Sequence, residues 1–428
     1  MKIIPARRIR GAAQVPGDKS ISHRVALIAA LAQGTSTIEG FATSKDCQST
    51  LACLSALGVT ITHNINQLQI QGKGLRGFSA PRKVLDAGNS GSTMRMLSGI
   101  LAGQPFTSQI TGDESLQRRP MRRIITPLRQ MGATITAQAE SFAPLTITGG
   151  QLKPIHYLMP VASAQVKSAI LLAGLFAEGQ TTVVEPAPTR NHSEIMLREL
   201  GATVSVVANT ITILGNTELQ PLHYQVVGDI SSAAFLIAAT LMLPHSELTL
   251  NNVGVNPSRR AIIDLLQSLG AQIELRALHH QHGEAVSDLY IKSGRLSSRQ
   301  NNIVQGNIIP NIIDEIPILA VLATQIDGGL IIRDAGELRV KESDRIRTVV
   351  DNLRAMGAEV EEYPDGLAVA GIQQLRGAKI DAAGDHRIAM AFAIAGLAAT
   401  GETEIIGSNV VDISFPNFFP ILAQIVEN

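Results

Sequence analysis

Residues 20–40 read SISHRVALIAALAQGTSTIEG: a small polar start, a helix of Ala, Leu, Ile and Val, a glycine turn and a β-branched strand. From Val25 to Ala32 every residue is apolar, so the helix has no solvent face and belongs inside a core. The same segment returns from Asp385 to Gly407 as DHRIAMAFAIAGLAATGETEIIG, and it also starts at Ser90, Ser163, Ser231 and Asp314. Successive starts are 70, 73, 68, 83 and 71 residues apart. A period of this kind decides the architecture before any single element does.

A second motif falls between these starts. An amphipathic helix closes at Leu57-Gly58, Met131-Gly132, Leu200-Gly201, Leu269-Gly270 and Met356-Gly357, each time followed by an alternating strand such as 203–214, TVSVVANTITIL. Glycine after the last helical turn is the left-handed C-cap. Any α/β chain alternates helix and strand, but two motifs held in phase along the whole chain mark a repeat. Five clear copies and a shorter C-terminal one make six. The expected fold is α/β, with apolar helices central and sheets and amphipathic helices around them.

At 428 residues the chain exceeds one ordinary core, so two domains are expected. Gly17-Asp18 and Gly228-Asp229 occupy the same phase in the first and fourth repeats, as crossover turns would. One domain, 18–228, is then inserted into another made of 1–17 plus 229–428, with the substrate cleft between them. Lys plus Arg and Asp plus Glu both number 36, which excludes a broad nucleic-acid or membrane footprint. Residues 1–8 have no apolar run, so no signal peptide is expected, and the stretch 388–399 is too short to span a bilayer. Two cysteines, Cys47 and Cys53, make neither a disulfide framework nor a zinc site. A cytoplasmic, monomeric enzyme without metal or cofactor is expected.

Reactive side chains gather at the starts of the buried helices. Lys19, Ser20 and Arg24 surround the first. A helix N-terminus offers N–H donors and positive potential, and cations beside it make an anion site. Gly88-Asn89-Ser90-Gly91-Ser92-Thr93-Met94-Arg95 is a small-residue turn that lets an anion approach the backbone. Gln117-Arg118-Arg119-Pro120-Met121-Arg122-Arg123 concentrates guanidinium forks suited to carboxylate and phosphate, although a solvated basic face accounts for two of the four equally well. In Arg339-Val340-Lys341-Glu342-Ser343-Asp344-Arg345-Ile346, read as the start of an outer helix, Lys341 and Arg345 are anion ligands and Glu342 a proton-transfer group. Ordinary surface ion pairing is the plainer alternative there. Asp385 caps the last buried helix, His386 and Arg387 face the cleft, and Asp314 is a candidate base.

Together PGDKSISHR, GNSGSTMR, RRPM, SAQVKSAILLAGL, RVKESDRI and DHRIAMA resemble the 5-enolpyruvylshikimate-3-phosphate synthase family, from Pro16 to Pro416. These are the enolpyruvyl transferases of the shikimate pathway to chorismate and aromatic amino acids, and the target of glyphosate. The resemblance implies a two-domain inside-out α/β barrel of six βαβαββ repeats, three per domain. It implies shikimate-3-phosphate contacts at Lys19, Ser20, Arg24, Ser163, Ala164, Gln165, Arg190, Asp314 and Lys341. Lys19, Gly91, Arg119, Gln165, Arg345, His386 and Arg387 then meet phosphoenolpyruvate. Asp314, Glu342 and Lys19 carry the proton transfers.

Four positions depart from the family pattern. Ile413-Ser414-Phe415-Pro416 lacks the lysine many members carry there. Asn191-His192-Ser193-Glu194 replaces Asp-His-Thr-Glu, Glu337 stands where some members have Asn, and Met96 stands where many sensitive members have Pro. Two other readings compete. The UDP-N-acetylglucosamine enolpyruvyl transferases share fold and chemistry but carry a reactive cysteine before their Arg-Pro pair, where Asp113-Glu114-Ser115-Leu116-Gln117-Arg118 has none. A non-catalytic anion-binding relative would have no use for Asp314, Glu342 and Lys19.

Overall fold

The computed structural model describes residues 1–64, 67–298 and 301–427. Their contacts group into two bodies, one of 17–226 with 281–284, the other of 1–16, 227–280 and 285–428.

The body of 17–226 is built on three buried helices, α1 (Lys19–Ala30), α2 (Gly91–Ala102) and α3 (Ala164–Gly174). From Val25 to Ala32 no side chain is exposed, as the all-apolar run requires. Each fully buried Leu or Ile contributes about 1.5–3 kcal/mol. α2 and α3 touch through backbone: a Cβ at Gly99 would meet the Ala169 carbonyl oxygen at 2.2 Å. The other body has α4 (Ile230–Met242), α5 (Ile316–Ala323) and α6 (His386–Leu397), which pack on one another in a single apolar core.

Six sheets surround these helices among the described residues. In one, strand 85–86 pairs parallel with 107–111, which pairs antiparallel with 142–148, which pairs antiparallel with 134–138. Four other sheets repeat that order: 223–225, 33–39, 67–73, 60–63; 156–158, 180–184, 210–214, 204–207; 8–14, 247–254, 284–292, 272–281; and 303–304, 330–332, 366–369, 360–363. The sixth is shorter, with 379–381 parallel to 403–406 and 2–3 antiparallel to it. Strand 8–14 thus leads the sheet of 247–254, and 223–225 leads the sheet of 33–39.

Local chemistry explains the helix ends. Asp18, Ser90, Ser163, Asp229 and Asp385 each accept a backbone N–H from the first turn of the helix they precede. Ser20 and Ser231, expected at the starts, therefore lie inside α1 and α4, because the aspartates two residues earlier are equally good caps with more reach. All five Leu-Gly and Met-Gly glycines have positive φ, +87° at Gly58 and +109° at Gly132, as the C-cap expectation demands. One expectation fails. Lys341 and Glu342 do not lie on an outer helix: Gly336–Val340 is a short 3₁₀ turn, Lys341 is extended, and the helix starts at Arg345. Asp344 is the reason, since its carboxylate takes the Arg347 N–H and ends the irregular stretch. Among the described residues no single helix is long and apolar enough to cross a membrane.

Candidate active site

At the start of α1, Lys19 Nζ lies 2.8 Å from Asp46 Oδ2, on the first turn of the outer helix Lys45–Ala56. One turn on, His23 Nδ1 bonds Thr50 Oγ1 at 2.7 Å, and Thr50 bonds Thr93 Oγ1 at 2.6 Å. Two residue pairs spaced four apart thus face each other, Lys19 and His23 against Asp46 and Thr50. Burial lowers the His23 pKa well below 6.5, and the charges of Lys19 and Arg24 push the same way. The ring is a neutral spacer.

Arg24, 3% exposed, donates from Nε to Ser193 Oγ at 2.7 Å, from Nη2 to Ser168 Oγ at 2.9 Å and from Nη1 to the Ser20 carbonyl at 2.8 Å. Arg190 Nη1 reaches Ser20 Oγ at 3.3 Å. Arg24, Arg190 and Ser20 therefore form one cluster. Ser163 is the α3 cap and Ala164 its first residue. Gln165, one residue on, accepts from Arg95 Nη1 at 2.5 Å and donates to Ser92 Oγ at 2.8 Å. Gly91 opens α2 beneath two guanidinium groups: a Cβ there would meet Arg95 Nη1 at 2.9 Å and Arg119 Nη1 at 3.6 Å. Of the four arginines from 118 to 123, only Arg119 is buried. It donates to Asn89 Oδ1 at 2.9 Å and Ser115 Oγ at 3.2 Å.

In the other body the centre is Arg345, 1% exposed. Asp385 binds its Nε at 2.7 Å, Glu342 its Nη2 at 2.6 Å, and Asp314 lies 3.5 Å from Nη1. Burial alone would pull the guanidinium pKa down, but the charges of Asp385, Glu342 and Asp314 outweigh it and push it up. Arg387 donates from Nη1 to the Asp314 carbonyl at 2.9 Å. His386 is buried in the first turn of α6. Lys341 sits near Asp314 and Glu337. Burial lowers its pKa, and the two carboxylates oppose that shift.

Each body thus holds one coherent set: Lys19, Ser20, Arg24, Gly91, Arg119, Gln165 and Arg190 in one, Asp314, Lys341, Glu342, Arg345, His386 and Arg387 in the other. Both sets put cations at helix starts, but only the second carries acidic groups partly open to solvent. Asp314 and Glu342 are 17% and 12% exposed. Sequence reasoning missed Asp46, Ser168 and Ser193, as well as the buried Lys167, Glu185 and Glu194. It also missed the cluster at the α4 start, where Arg259 donates to Ser231 Oγ at 2.7 Å and Ser231 bonds Glu315. The C-terminal departure is apolar: Phe415 and Phe418 are fully buried, their rings 5.6 Å apart edge to face. Cys47 and Cys53 are buried, and burial pushes both thiols up to about 12. Among the described residues no group of three or more His, Cys, Asp or Glu is placed to hold a metal ion.

The EPSP synthase (3-phosphoshikimate 1-carboxyvinyltransferase) family profile matches residues 3–422. A 3-phosphoshikimate 1-carboxyvinyltransferase of Solibacter usitatus is 52% identical over 426 residues, covering 100% of this chain and 99% of its own. One from Brevibacillus brevis is 49% identical, covering 99% of each. A solved EPSP synthase from Acinetobacter baumannii superposes with a TM-score of 0.87 at 41% identity, covering 99% of this chain and 98% of that one.

Proposed function

The chain belongs to the EPSP synthase family, and from that premise we propose how its residues divide the work of the reaction. The reaction is transfer of the enolpyruvyl group of phosphoenolpyruvate to the 5-hydroxyl of shikimate-3-phosphate. It releases phosphate and forms 5-enolpyruvylshikimate-3-phosphate, a step of the shikimate pathway.

Lys19, Ser20, Arg24, Ser163, Ala164, Gln165 and Arg190 hold shikimate-3-phosphate, with Asp314 and Lys341 on its hydroxyls. Lys19, Gln165, Gly91, Arg119, Arg345, His386 and Arg387 hold phosphoenolpyruvate. In this division the acidic groups suited to proton transfer come from one set and most of the sugar-phosphate ligands from the other. The family's inside-out fold supplies the frame: three βαβαββ repeats in 18–228 and three in 1–17 plus 229–428. The strand order shared by five sheets supports that reading.

Asp314 takes the proton of the 5-hydroxyl while Glu342 or Lys19 delivers one to the methylene carbon of phosphoenolpyruvate. The oxygen then bonds to the cationic C2, giving a tetrahedral intermediate. Phosphate leaves with its C–O electron pair and takes up the proton that Asp314 removed, a methyl proton returns to the same acid–base pair, and the enol ether remains. The arginines stabilise phosphate and carboxylate charge throughout. The enzyme acts as a cytoplasmic monomer.

The observation that carries this assignment is the triple carboxylate grip on Arg345. It joins an anion-binding guanidinium to two acidic groups still reachable from solvent. Phosphate release on mixing protein, phosphoenolpyruvate and shikimate-3-phosphate, but not with the UDP-sugar, is the expected result. Release with the UDP-sugar instead, or with neither, overturns it.

A further inference from the structure

Lys167 lies in α3, two residues after Gln165, and is 1% exposed. Its ammonium meets Glu185 Oε2 at 2.9 Å, Glu194 Oε1 at 2.7 Å and the Thr189 carbonyl oxygen at 3.4 Å. The Thr189 hydroxyl donates to the other Glu185 oxygen. Burying an ion cluster is a weak source of stability, because desolvation consumes most of the attraction. Apolar side chains in its place would serve the core as well, so its geometry calls for another explanation.

The three acceptors belong to one short segment. Glu185 follows strand 180–184, Thr189 sits midway, and Glu194 is in the first turn of helix His192–Glu199. Inside that span Arg190 reaches Ser20, and Ser193 bonds both Arg24 and Ser168. On α3, Lys167 and Ser168 are neighbours, as are Ser193 and Glu194 opposite. One pairing is ionic and the other joins hydroxyls, and the hydroxyls hold Arg24. A single ammonium therefore pins both ends and the middle of the segment that presents Arg190 and steadies Arg24.

We propose that Lys167, with Glu185 and Glu194, is a positioning residue for sugar-phosphate recognition: it fixes where Arg190 and Ser193 stand without touching substrate. This rests on the reading of Arg24 and Arg190 as shikimate-3-phosphate ligands. Losing it costs affinity for that substrate, while phosphoenolpyruvate and the chemical step are little affected.

Lys167→Met alone leaves two buried carboxylates uncompensated, so the neutral triple variant Lys167→Met, Glu185→Gln, Glu194→Gln is the principal test. Calorimetric Kd and KM for shikimate-3-phosphate should rise by about 10-fold or more, while kcat and the phosphoenolpyruvate KM stay within about 3-fold. Arg190→Ala should weaken shikimate-3-phosphate binding in the parent and add little in the triple variant, because both remove the same contact. Unchanged affinity in the triple variant, or two losses that simply multiply, overturns the proposal. If Arg190→Ala leaves the parent's affinity intact, the ligand reading of Arg190 fails first and the proposal with it. Should the triple variant not fold, Glu194→Gln, which keeps the side-chain shape, gives the same split at about 3-fold. A fall in kcat alone in that variant overturns the proposal.

Discussion

Asp385 grips Arg345 at two points, Oδ2 to Nε at 2.7 Å and Oδ1 to Nη2 at 3.3 Å, with both side chains out of solvent. The same carboxylate takes the Arg387 N–H at 2.9 Å, so one residue sets both the helix start and the guanidinium. Asp385→Asn keeps the shape but removes the charge, and should raise the phosphoenolpyruvate KM about 10-fold, near 1.4 kcal/mol. Asp385→Ala also strips the cap and takes one of three carboxylates from Arg345, at about 1–3 kcal/mol of unfolding free energy. Urea unfolding checks the second figure, and an Ala variant as stable as the parent would refute it.

Asp314→Asn and Glu342→Gln should each lower kcat by about 10²–10⁴-fold while shikimate-3-phosphate binding changes only a few-fold. Single-turnover phosphate release beside calorimetry separates the two effects. Lost affinity with kcat intact at saturation would move both residues from chemistry to binding.

Lys341 gives a pH dependence with a definite sign. Burial lowers its pKa below 10.5, against Asp314 and Glu337, and only the protonated amine attracts a sugar phosphate. Affinity should therefore fall as pH rises through that lowered value, earlier than for an ordinary lysine. The unfolded chain keeps its proton longer, so this group's contribution to stability rises with pH between the lowered value and 10.5. Lys341→Arg should carry the binding limb to higher pH, as titrations from about pH 7 to 10 would reveal. An unmoved limb would take Lys341 out of substrate binding.

His23 acts at the acid end. Its folded pKa lies well below 6.5, chiefly from burial. Its contribution to stability is complete above 6.5 and is lost as pH falls through the folded value. His23→Gln should flatten the decline in melting temperature as pH falls from 6.5 to the folded value, and an equally steep decline would exclude the histidine as its source.

Cys47 and Cys53, both buried with thiols pushed up to about 12, should resist thiol reagents in the folded protein near neutral pH. Activity should survive the reagent. Inactivation with labelling of either cysteine would contradict the buried placement.

Much of this was legible in the residue pattern because its causes are local. Apolarity all round marked the buried helices, glycine marked their neighbours' ends, and small or acidic caps marked the starts where Lys19, Arg24 and Arg387 lie. What stayed hidden depends on partners distant along the chain. Nothing near Lys19 announces Asp46, and nothing near Lys167 announces that Glu185 and Glu194 converge on it. The outer-helix reading of Lys341 and Glu342 failed because alternating charge looks helical, while the Asp344 cap defers the helix by a few residues. Arg119 could not be told from Arg118 or Arg122 by type, since only packing decides which guanidinium turns inward.

Strand 8–14 has its parallel partner in 247–254, whereas the helices and sheets of 17–226 close among themselves. During synthesis that strand emerges before its partner, which is made more than two hundred residues later. At ribosomal speeds of about 5–20 residues per second the wait is roughly 10–50 s. An unpaired strand edge is exposed for all of it, and its brevity and its basic residues Arg8 and Arg10 keep it from pairing with the wrong chain.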